Sequence, residues 1–203
     1  MSKRPNIILL MMDSVRMANM SCYGYAEPTT PNIDALATQG TLYEQAISVG
    51  CWTLPVHASL FTGLYPISHG VTISKDALPD NFPTLARQLK EVGYQSVSFS
   101  NNAYVSEITN LTQGFDRVED LWRLTNPRGT KRTKMSRVLR QLKDFGRPAE
   151  PIIVLLRIIQ RAWSILKRKR KRGDEGAQLT HGKIQAWLTQ VRDPERPFFM
   201  FVN

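Results

Sequence analysis

Two uninterrupted apolar runs, one near each end of the chain, constrain its fold most. Ile7–Met12 reads IILLMM and stops at Asp13, and Phe198–Val202 reads FFMFV after Pro197. Apolar residues at every position, rather than at alternate ones, are typical of strands that are buried on both faces of a sheet. The sequence therefore predicts two buried strands, the second of them central in its sheet.

Helix and strand signals alternate along the chain between these runs, up to about residue 120. Thr30-Pro31 and Phe82-Pro83-Thr84 are helix-start signals, because proline suits the first turn of a helix. We predict helices after both and over Pro55–Phe61, and strands over Leu42–Ile47 and Gln95–Phe99. Strand–helix–strand order with apolar strands predicts an α/β fold, a mostly parallel sheet sandwiched by helices.

The positive charge of the chain is concentrated in one segment. Its net charge is +10, yet the segment from Arg123 to Arg172 alone holds 17 basic and two acidic residues. The remainder holds 10 basic and 15 acidic residues, which makes a mildly acidic body. We therefore predict an α/β domain over residues 1–122, a basic helical insert over 123–176, and a return helix and strand of the same domain over 177–203.

The sequence contains no convincing targeting signal, and this together with its cysteine content favours a cytoplasmic protein. Two cysteines can form at most one disulfide bond, which cannot hold together a fold of 203 residues. Such sparse cysteine use fits a reducing compartment. The apolar run Ile7–Met12 is shorter than the roughly 7–15 residues of a secretory signal core. Pro151–Leu166 is interrupted by arginines and is shorter than the about 20 residues of a membrane span. The sequence leaves attachment to a membrane surface open as an alternative.

The insert itself contains one segment with two interpretations. Pro151–Arg172 can be drawn as a helix with a Trp-bearing apolar face, and Lys167–Arg172 gives six consecutive cations. Such a helix suits an anionic membrane surface. It equally suits a helix docked on the body with a solvated charged end. Nucleic-acid binding is not favoured, because no basic motif interleaved with aromatic residues accompanies the charge.

Residues that can carry chemistry lie between Asp13 and His69. Asp13 directly follows the first strand, where it is either a metal-binding carboxylate or a cap for the next turn. Thr53 precedes a predicted helix and is either its N-cap or a nucleophile at the positive helix end. His57 lies within that helix and is by default a buried, hydrogen-bonded histidine, and His69-Gly70 is most simply a turn.

Taken together, the first 120 residues resemble the sulfatase family of the alkaline-phosphatase-like superfamily. The matching segments, in chain order, are Pro5–Arg16, Cys22–Tyr25, Thr30–Leu36, Trp52–Pro66, His69–Val71, Leu78-Pro79, Pro83–Tyr94 and Gly114–Asp120. Arg196–Asn203 is similar to the strand that begins the second half of that domain. The resemblance implies the sulfatase fold, incomplete here at the C-terminus.

The resemblance also implies roles for two of the candidate residues. In the family, a Cys or Ser within a C/S-x-P-x-R motif is oxidised to formylglycine, the nucleophile. Pro55 and Thr62-Gly63 set the register, which puts Thr53 at the nucleophile and His57 at the arginine. Threonine cannot become formylglycine, although threonine nucleophiles occur in phospho-transferring and phosphonate-cleaving relatives. Cys51 lies two residues too early, and we expect a buried thiol there.

A divalent metal ion is implied as the cofactor, with Ca, Mg, Mn and Zn all open. The family begins its metal site with paired carboxylates after the first strand, where this chain has Asp13-Ser14. Asp13 and Thr53 are the candidate ligands in this half. The family supplies the rest, an Asp-His or Asp-Asn pair, from the second half of the domain. We therefore expect weak or absent catalysis from the 203-residue chain alone.

Three functions remain open at this point. The first is a metal-dependent hydrolase of sulfate or phosphate esters, with Thr53 as nucleophile, Asp13 as metal ligand and His57 as an auxiliary group near the transferred anion. The second is a membrane-associated phosphotransferase or phosphodiesterase that uses the same threonine on lipid or glycan head groups. The third is a non-catalytic binding module or remnant. The expected partners are a small-molecule, glycan or lipid ester and, through Pro151–Arg172, an anionic membrane surface.

Overall fold

The structure, a computed structural model, describes residues 4–72, 77–125 and 176–203. The predicted basic segment Pro151–Arg172 lies outside these residues. The elements are strands β1 (Ile7–Leu10), β2 (Gln95–Ser100), β3 (Arg117–Asp120) and β4 (Phe198–Val202), and helices α1 (Pro31–Ala37), α2 (Thr53–Thr62), α3 (Pro66–His69), α4 (Leu85–Glu91), α5 (Trp122–Thr125) and α6 (Ala177–Ala186). Short 3-10 turns cover Met17–Asn19, Ser21–Tyr23 and Glu107–Thr109.

The chain divides into two compact units. The first comprises Met1–Glu119 with Asp193–Asn203, and the second comprises Asp120–Arg192. The boundaries that the sequence predicts at 122/123 and 176/177 stay predictions.

The four strands form one sheet in the order β1-β4-β2-β3. β4 lies between β1 and β2 and is parallel to both, with Met200 opposite Ile8 on one side and Val97 on the other. Its side chains from Phe198 to Phe201 are buried. The prediction of a central strand at this position is confirmed, as is the mostly parallel α/β sheet.

The core of the first unit contains an aromatic cluster between β4 and α2. The rings of Phe61 on α2 and Phe201 on β4 meet edge to face, with centroids 4.9 Å apart. Phe115 stacks on Phe199 at 5.4 Å. Aromatic pairs in these geometries contribute about 0.5–1.5 kcal/mol beyond the area that they bury. This packing fixes α2, and hence its first residue Thr53, relative to the carboxyl end of β4.

Two sequence predictions in this unit are wrong. The apolar sequence of β1 predicts burial on both faces, but Ile8 and Leu10 are 60% and 54% exposed while Ile7 and Leu9 pack on the core. Among the described residues β1 pairs only with β4, so it lies at an edge of the sheet and nothing described covers its outer face. The strand predicted over Leu42–Ile47 is absent. That segment pairs with no strand among the described residues, and Ile47 is 91% exposed.

Helix predictions in the first unit are confirmed. α1 begins at Pro31, α2 includes Pro55–Phe61, and α4 follows Thr84, whose hydroxyl accepts a hydrogen bond from the Arg87 N–H. α2 ends where Gly63 takes a left-handed conformation, at φ +70°, that suits glycine. His69 ends the short helix α3, and Gly70 after it is also left-handed, so the predicted turn is present.

The second unit contains α5, α6 and a π-helical turn over Trp187–Val191 that continues α6. In α5 the Arg123 guanidinium lies over the Trp122 ring, 4.6 Å from its centroid. The Arg123 side chain also donates to Asp120 at 3.0 Å. None of the helices in the part of the chain that the structure describes is long and apolar enough to cross a bilayer.

Candidate active site

Polar side chains gather where β1, β2 and β4 end. Asp13 follows β1, Asn102 follows β2 and Asn203 follows β4. The backbone extends the sheet here, because Met11 N–H donates to the Val202 carbonyl and Asn101 N–H donates to the Asn203 carbonyl. In open parallel sheets the carboxyl ends of the strands form the binding crevice. The sheet therefore brings these three side chains together at the carboxyl end of its parallel strands.

Thr53 is the first residue of α2 and faces Asp13. Its hydroxyl donates to Asp13 Oδ2 at 2.8 Å, across 40 residues of sequence. The N-cap position belongs to Trp52, whose side chain makes no capping hydrogen bond. The reading of Thr53 as an N-cap is therefore excluded. Its oxygen lies instead at the positive end of the helix dipole, which stabilises negative charge that develops there.

Asp13 is held by more than one neighbour. Asn102 Nδ2 donates to the same Oδ2 at 3.0 Å, and Ser14 Oγ lies 3.4 Å from Oδ1. The first helical turn that follows begins only at Met17 and has Arg16 at its N-cap, so Asp13 is not its cap. Ser14 has φ +66°, a left-handed conformation that is uncommon outside glycine. Such a conformation often marks a functional turn.

His57 lies one turn along α2 and is 2% exposed. Its Nδ1 is 2.7 Å from the Thr53 carbonyl oxygen, and its Nε2 is 3.1 Å from Asn203 Nδ2. A carbonyl only accepts, so Nδ1 carries the proton and Nε2 accepts from the Asn203 amide. Burial lowers the pKa of His57, although the bond to Thr53 and the charge of Asp13 oppose this shift. The ring is neutral at pH 7 and ties α2 to the end of β4.

The remaining candidates lie elsewhere. Cys51 is exposed, which corrects the expectation of a buried thiol, because the segment before α2 has no regular structure and lies at the surface. His69 is buried, accepts from the Val71 N–H at Nδ1 and bonds Ser59 through Nε2 at 2.9 Å. The Nε2 bond therefore holds α3 against α2, and the Nδ1 bond closes the turn that follows α3.

The donor set fits one part of the shell of a hard divalent cation. Asp13 and Thr53 bring a carboxylate and a hydroxyl oxygen into contact, and Mg²⁺ or Ca²⁺ prefers oxygen ligands. These cations need about six or more ligands. Within residues 4–72, 77–125 and 176–203 there is no group of three or more His, Cys, Asp or Glu side chains that could hold a metal ion. The described residues therefore supply part of such a site and do not complete it.

Sequence reasoning missed Asn102 and the contact made by Asn203. Asparagine is common in ordinary turns after strands, so the residue type alone does not indicate a functional role. The signal that was available is positional, because β2 ends at the same sheet edge as β1 and a polar side chain after it faces the same crevice.

Comparison with known proteins identifies relatives across this region. The family described as Sulfatase matches residues 5–202. Arylsulfatase H of Homo sapiens is 34% identical over 105 residues, which are 46% of this chain and 19% of that protein. N-acetylglucosamine-6-O-sulfatase of Bacteroides thetaiotaomicron is 32% identical over 115 residues, which are 57% of this chain and 20% of that protein. The chain thus spans about a fifth of the length of these curated relatives.

Solved structures agree on the fold. The phosphonate monoester hydrolase of Agrobacterium radiobacter superposes with a TM-score of 0.59 at 20% identity, over 98% of this chain and 40% of that one. The protein BT4656, solved with its substrate D-glucosamine-2-N,6-O-disulfate, gives a TM-score of 0.60 at 20% identity, over 98% of this chain and 34% of that one. With the family match over nearly the whole sequence, the resemblance seen in the motifs is confirmed: this chain belongs to the sulfatase family.

Proposed function

We propose that this chain carries the nucleophile of a metal-dependent hydrolase of sulfate or phosphate esters. The observation that carries the proposal is the 2.8 Å hydrogen bond from Thr53 Oγ1 to Asp13 Oδ2 at the start of α2. A hydroxyl next to a proton acceptor, at the positive end of a helix, has the arrangement of an activated nucleophile.

The chemistry follows from these two side chains. Thr53 Oγ1 attacks the sulfur or phosphorus of the ester and passes its proton to Asp13 Oδ2, its acceptor. The bond from sulfur or phosphorus to the alcohol oxygen breaks, and the alcohol leaves with the electron pair and takes up a proton. Water then attacks the sulfur or phosphorus, and the bond to Thr53 Oγ1 breaks. Oγ1 takes its proton back from Asp13, and the released acid gives the proton that came from water to the solvent. A divalent ion held by Asp13 and Thr53, with ligands from outside the described residues, would lower the hydroxyl pKa and neutralise charge on the transferred group.

Threonine favours phosphate over sulfate in this proposal. Formylglycine forms when a CH₂ group bearing sulfur or oxygen is oxidised to an aldehyde. The Cβ of threonine also bears a methyl group, so the same oxidation would give a ketone. Threonine therefore cannot form the aldehyde hydrate that acts as the nucleophile on sulfate esters. A relative in fold acts, by its name, on phosphonate monoesters. We therefore expect phosphate monoesters or diesters to be better substrates than sulfate esters.

His57 has a different part in this proposal from the one that the motif register implies. The family's arginine is a cation, whereas His57 is neutral and both of its ring nitrogens are engaged. Its hydrogen bond to the Thr53 carbonyl supports the backbone of the nucleophile. An auxiliary role next to the transferred anion stays a prediction.

A side-by-side assay tests the proposal. The full-length gene product is supplied in turn with Mg²⁺, Mn²⁺, Ca²⁺ and Zn²⁺ and given an aryl sulfate, an aryl phosphate and an aryl phosphodiester. We expect metal-dependent release of the aryl alcohol, fastest from a phosphate substrate. Faster release from the sulfate would show that the chemistry assigned to Thr53 is wrong. No release from any ester would favour the third function, a non-catalytic module.

The second function, a phosphotransferase or phosphodiesterase at a membrane, shares Thr53 and differs in acceptor. The threonine favours it for the reason given above. Transfer to an added alcohol, such as glycerol, at the expense of hydrolysis would distinguish transferase from hydrolase.

A further inference from the structure

The loop after β2 holds a side chain that neither the motifs nor the proposed chemistry uses. Asn102 is half-buried, and its backbone is fixed by the buried Ser100 hydroxyl, which accepts from Asn102 N–H at 3.1 Å and donates to the Asn102 carbonyl at 3.0 Å. The Val105 N–H donates to the same carbonyl at 3.0 Å. The backbone at this position is therefore held independently of the Asn102 side chain.

The orientation of the Asn102 amide is settled by its partners. The Tyr104 N–H lies 3.0 Å from Asn102 Oδ1. A backbone N–H only donates, so the oxygen of the amide must face Tyr104 and the nitrogen must face Asp13. Asn102 Nδ2 then donates to Asp13 Oδ2 at 3.0 Å.

Asp13 Oδ2 consequently receives two donors, Thr53 Oγ1 and Asn102 Nδ2, from two different elements. A carboxylate is otherwise free to rotate about its last torsion, because that torsion is broad. Two donors on one oxygen fix the plane of the group. Among the described residues, Oδ1 has only the long 3.4 Å contact with Ser14, and it remains available to a ligand.

We propose that Asn102 is a positioning residue of this site, which orients the Asp13 carboxylate toward Thr53 and toward a divalent cation. This inference rests on the proposed function. Hydrogen-bond partners of metal-binding side chains commonly contribute 10–100-fold to metal affinity or activity. We expect an effect of about that size here.

Three variants of the full-length gene product test the inference. Asn102→Ala removes the donor to Asp13 together with the acceptor for Tyr104. Asn102→Asp keeps an oxygen for the Tyr104 N–H and replaces the donor with an oxygen that repels Asp13. Asn110→Ala is the matched control, because the Asn110 amide donates to the Leu78 carbonyl and to Asp80 and has no contact with Asp13.

The readouts are thermal stability, Mn²⁺ affinity in the absence of substrate, and kcat and KM for an aryl phosphodiester. We expect Asn102→Ala to weaken Mn²⁺ binding and lower kcat about 10–100-fold, with KM nearly unchanged. Asn102→Asp should lower kcat at least as far, although it keeps the turn. Asn110→Ala should lower the melting temperature and leave Mn²⁺ affinity and kcat alone. A wild-type kcat in Asn102→Asp would show that the Asn102 side chain only accepts from the Tyr104 N–H in the turn. That result would contradict the inference.

A further measurement separates this inference from the proposed function. If the wild-type protein binds no Mn²⁺ and cleaves no ester, the proposed function fails. The Asn102–Asp13 contact is then judged by the side-chain amide signal of Asn102 in a ¹⁵N NMR spectrum. A shift of that signal in Asp13→Ala, absent in Asp80→Ala, supports the positioning contact. An unchanged signal in Asp13→Ala overturns it.

Discussion

At the residue scale, the candidate site is centred on Asp13, because Thr53 and Asn102 both donate hydrogen bonds to its Oδ2. Asp13 after an apolar run and Thr53 before a helix were both recognisable, and each had two possible roles. Only the fold brings their oxygens to 2.8 Å and gives the N-cap position to Trp52, which removes the capping role of Thr53. The residue type of Asn102 gave no signal, because its role depends on β2 ending at the same end of the sheet as β1, with β4 between them. Contacts across 40 and 89 residues of sequence depend on the whole sheet, so local patterns do not contain them.

His69 leads to a prediction about the dependence of stability on pH. Burial lowers the pKa of His69, opposed by a hydrogen bond with the Pro55 backbone. Protonation would also put a second N–H at Nδ1, where the Val71 N–H already donates. The unfolded chain takes up a proton below about pH 6.5 and the folded chain does so only at lower pH, so the unfolded state binds more protons in between. The stability from this group is therefore present above about pH 6.5 and is lost as pH falls through the lowered pKa.

Chemical denaturation at a series of pH values from 8 to 5 measures this loss. We expect His69→Gln to show a smaller fall in the free energy of unfolding than the wild type. His181→Gln, which changes an exposed histidine on α6, should fall as steeply as the wild type. An unchanged fall in His69→Gln would mean that other groups carry the acid sensitivity.

At the element scale, helices were more predictable than strands. Proline and threonine at the starts of α1 and α4, and glycine after α2, act through their own backbone preferences and capping groups, which are local. The apolar run of β4 predicts a central strand, and the structure confirms it. β1, with an equally apolar sequence, is an edge strand with Ile8 and Leu10 exposed, because burial depends on which elements cover it. The apolar residues of Leu42–Ile47 form no strand, because a strand needs a partner to pair with and this segment has none among the described residues.

Thr84 is the residue on which the start of α4 depends. Its hydroxyl accepts from the Arg87 N–H at 3.4 Å and donates to the Gln113 carbonyl at 3.0 Å, and the side chain is 1% exposed. Thr84→Ala removes a helix cap and leaves a buried carbonyl without its donor. We expect it to lower the free energy of unfolding by about 1–3 kcal/mol.

Thr84→Ser is the matched variant, because it keeps the hydroxyl and loses one methyl group, worth about 0.8 kcal/mol when buried. Urea denaturation of both variants gives the comparison. Equal destabilisation by alanine and serine would show that the methyl group, rather than the cap, matters at this position.

At the scale of the whole molecule, the positive charge is concentrated in one segment of the chain. The 17 basic residues between Arg123 and Arg172 outweigh a body whose own balance is acidic. Much of that segment, including Pro151–Arg172, lies outside the described residues. Its role at a membrane surface is therefore a proposal that depends on sequence alone, as is a cytoplasmic location.

Vesicle sedimentation tests this proposal. Basic residues near an anionic surface contribute about 1 kcal/mol each, and this attraction decays over about 8 Å at physiological salt and about 3 Å at 1 M. We expect binding to anionic vesicles at low salt, release at high salt, and poor binding to neutral vesicles. Replacing the six cations of Lys167–Arg172 with glutamine should lose the binding and leave the melting temperature unchanged. Equal binding by this variant and its parent would contradict the membrane role and favour a helix packed on the body.

Thr53 as the nucleophile would carry a covalent adduct during turnover, and that adduct can be trapped. The full-length gene product is mixed with metal and an aryl phosphodiester, quenched in acid during turnover, digested and examined by mass spectrometry. We expect the transferred phosphoryl group on the peptide that contains Thr53, at Thr53 itself. Thr53→Ala and Asp13→Ala should lose the adduct and most of the turnover while keeping their fold. Unchanged turnover by Thr53→Ala, or an adduct on another residue, would contradict the account.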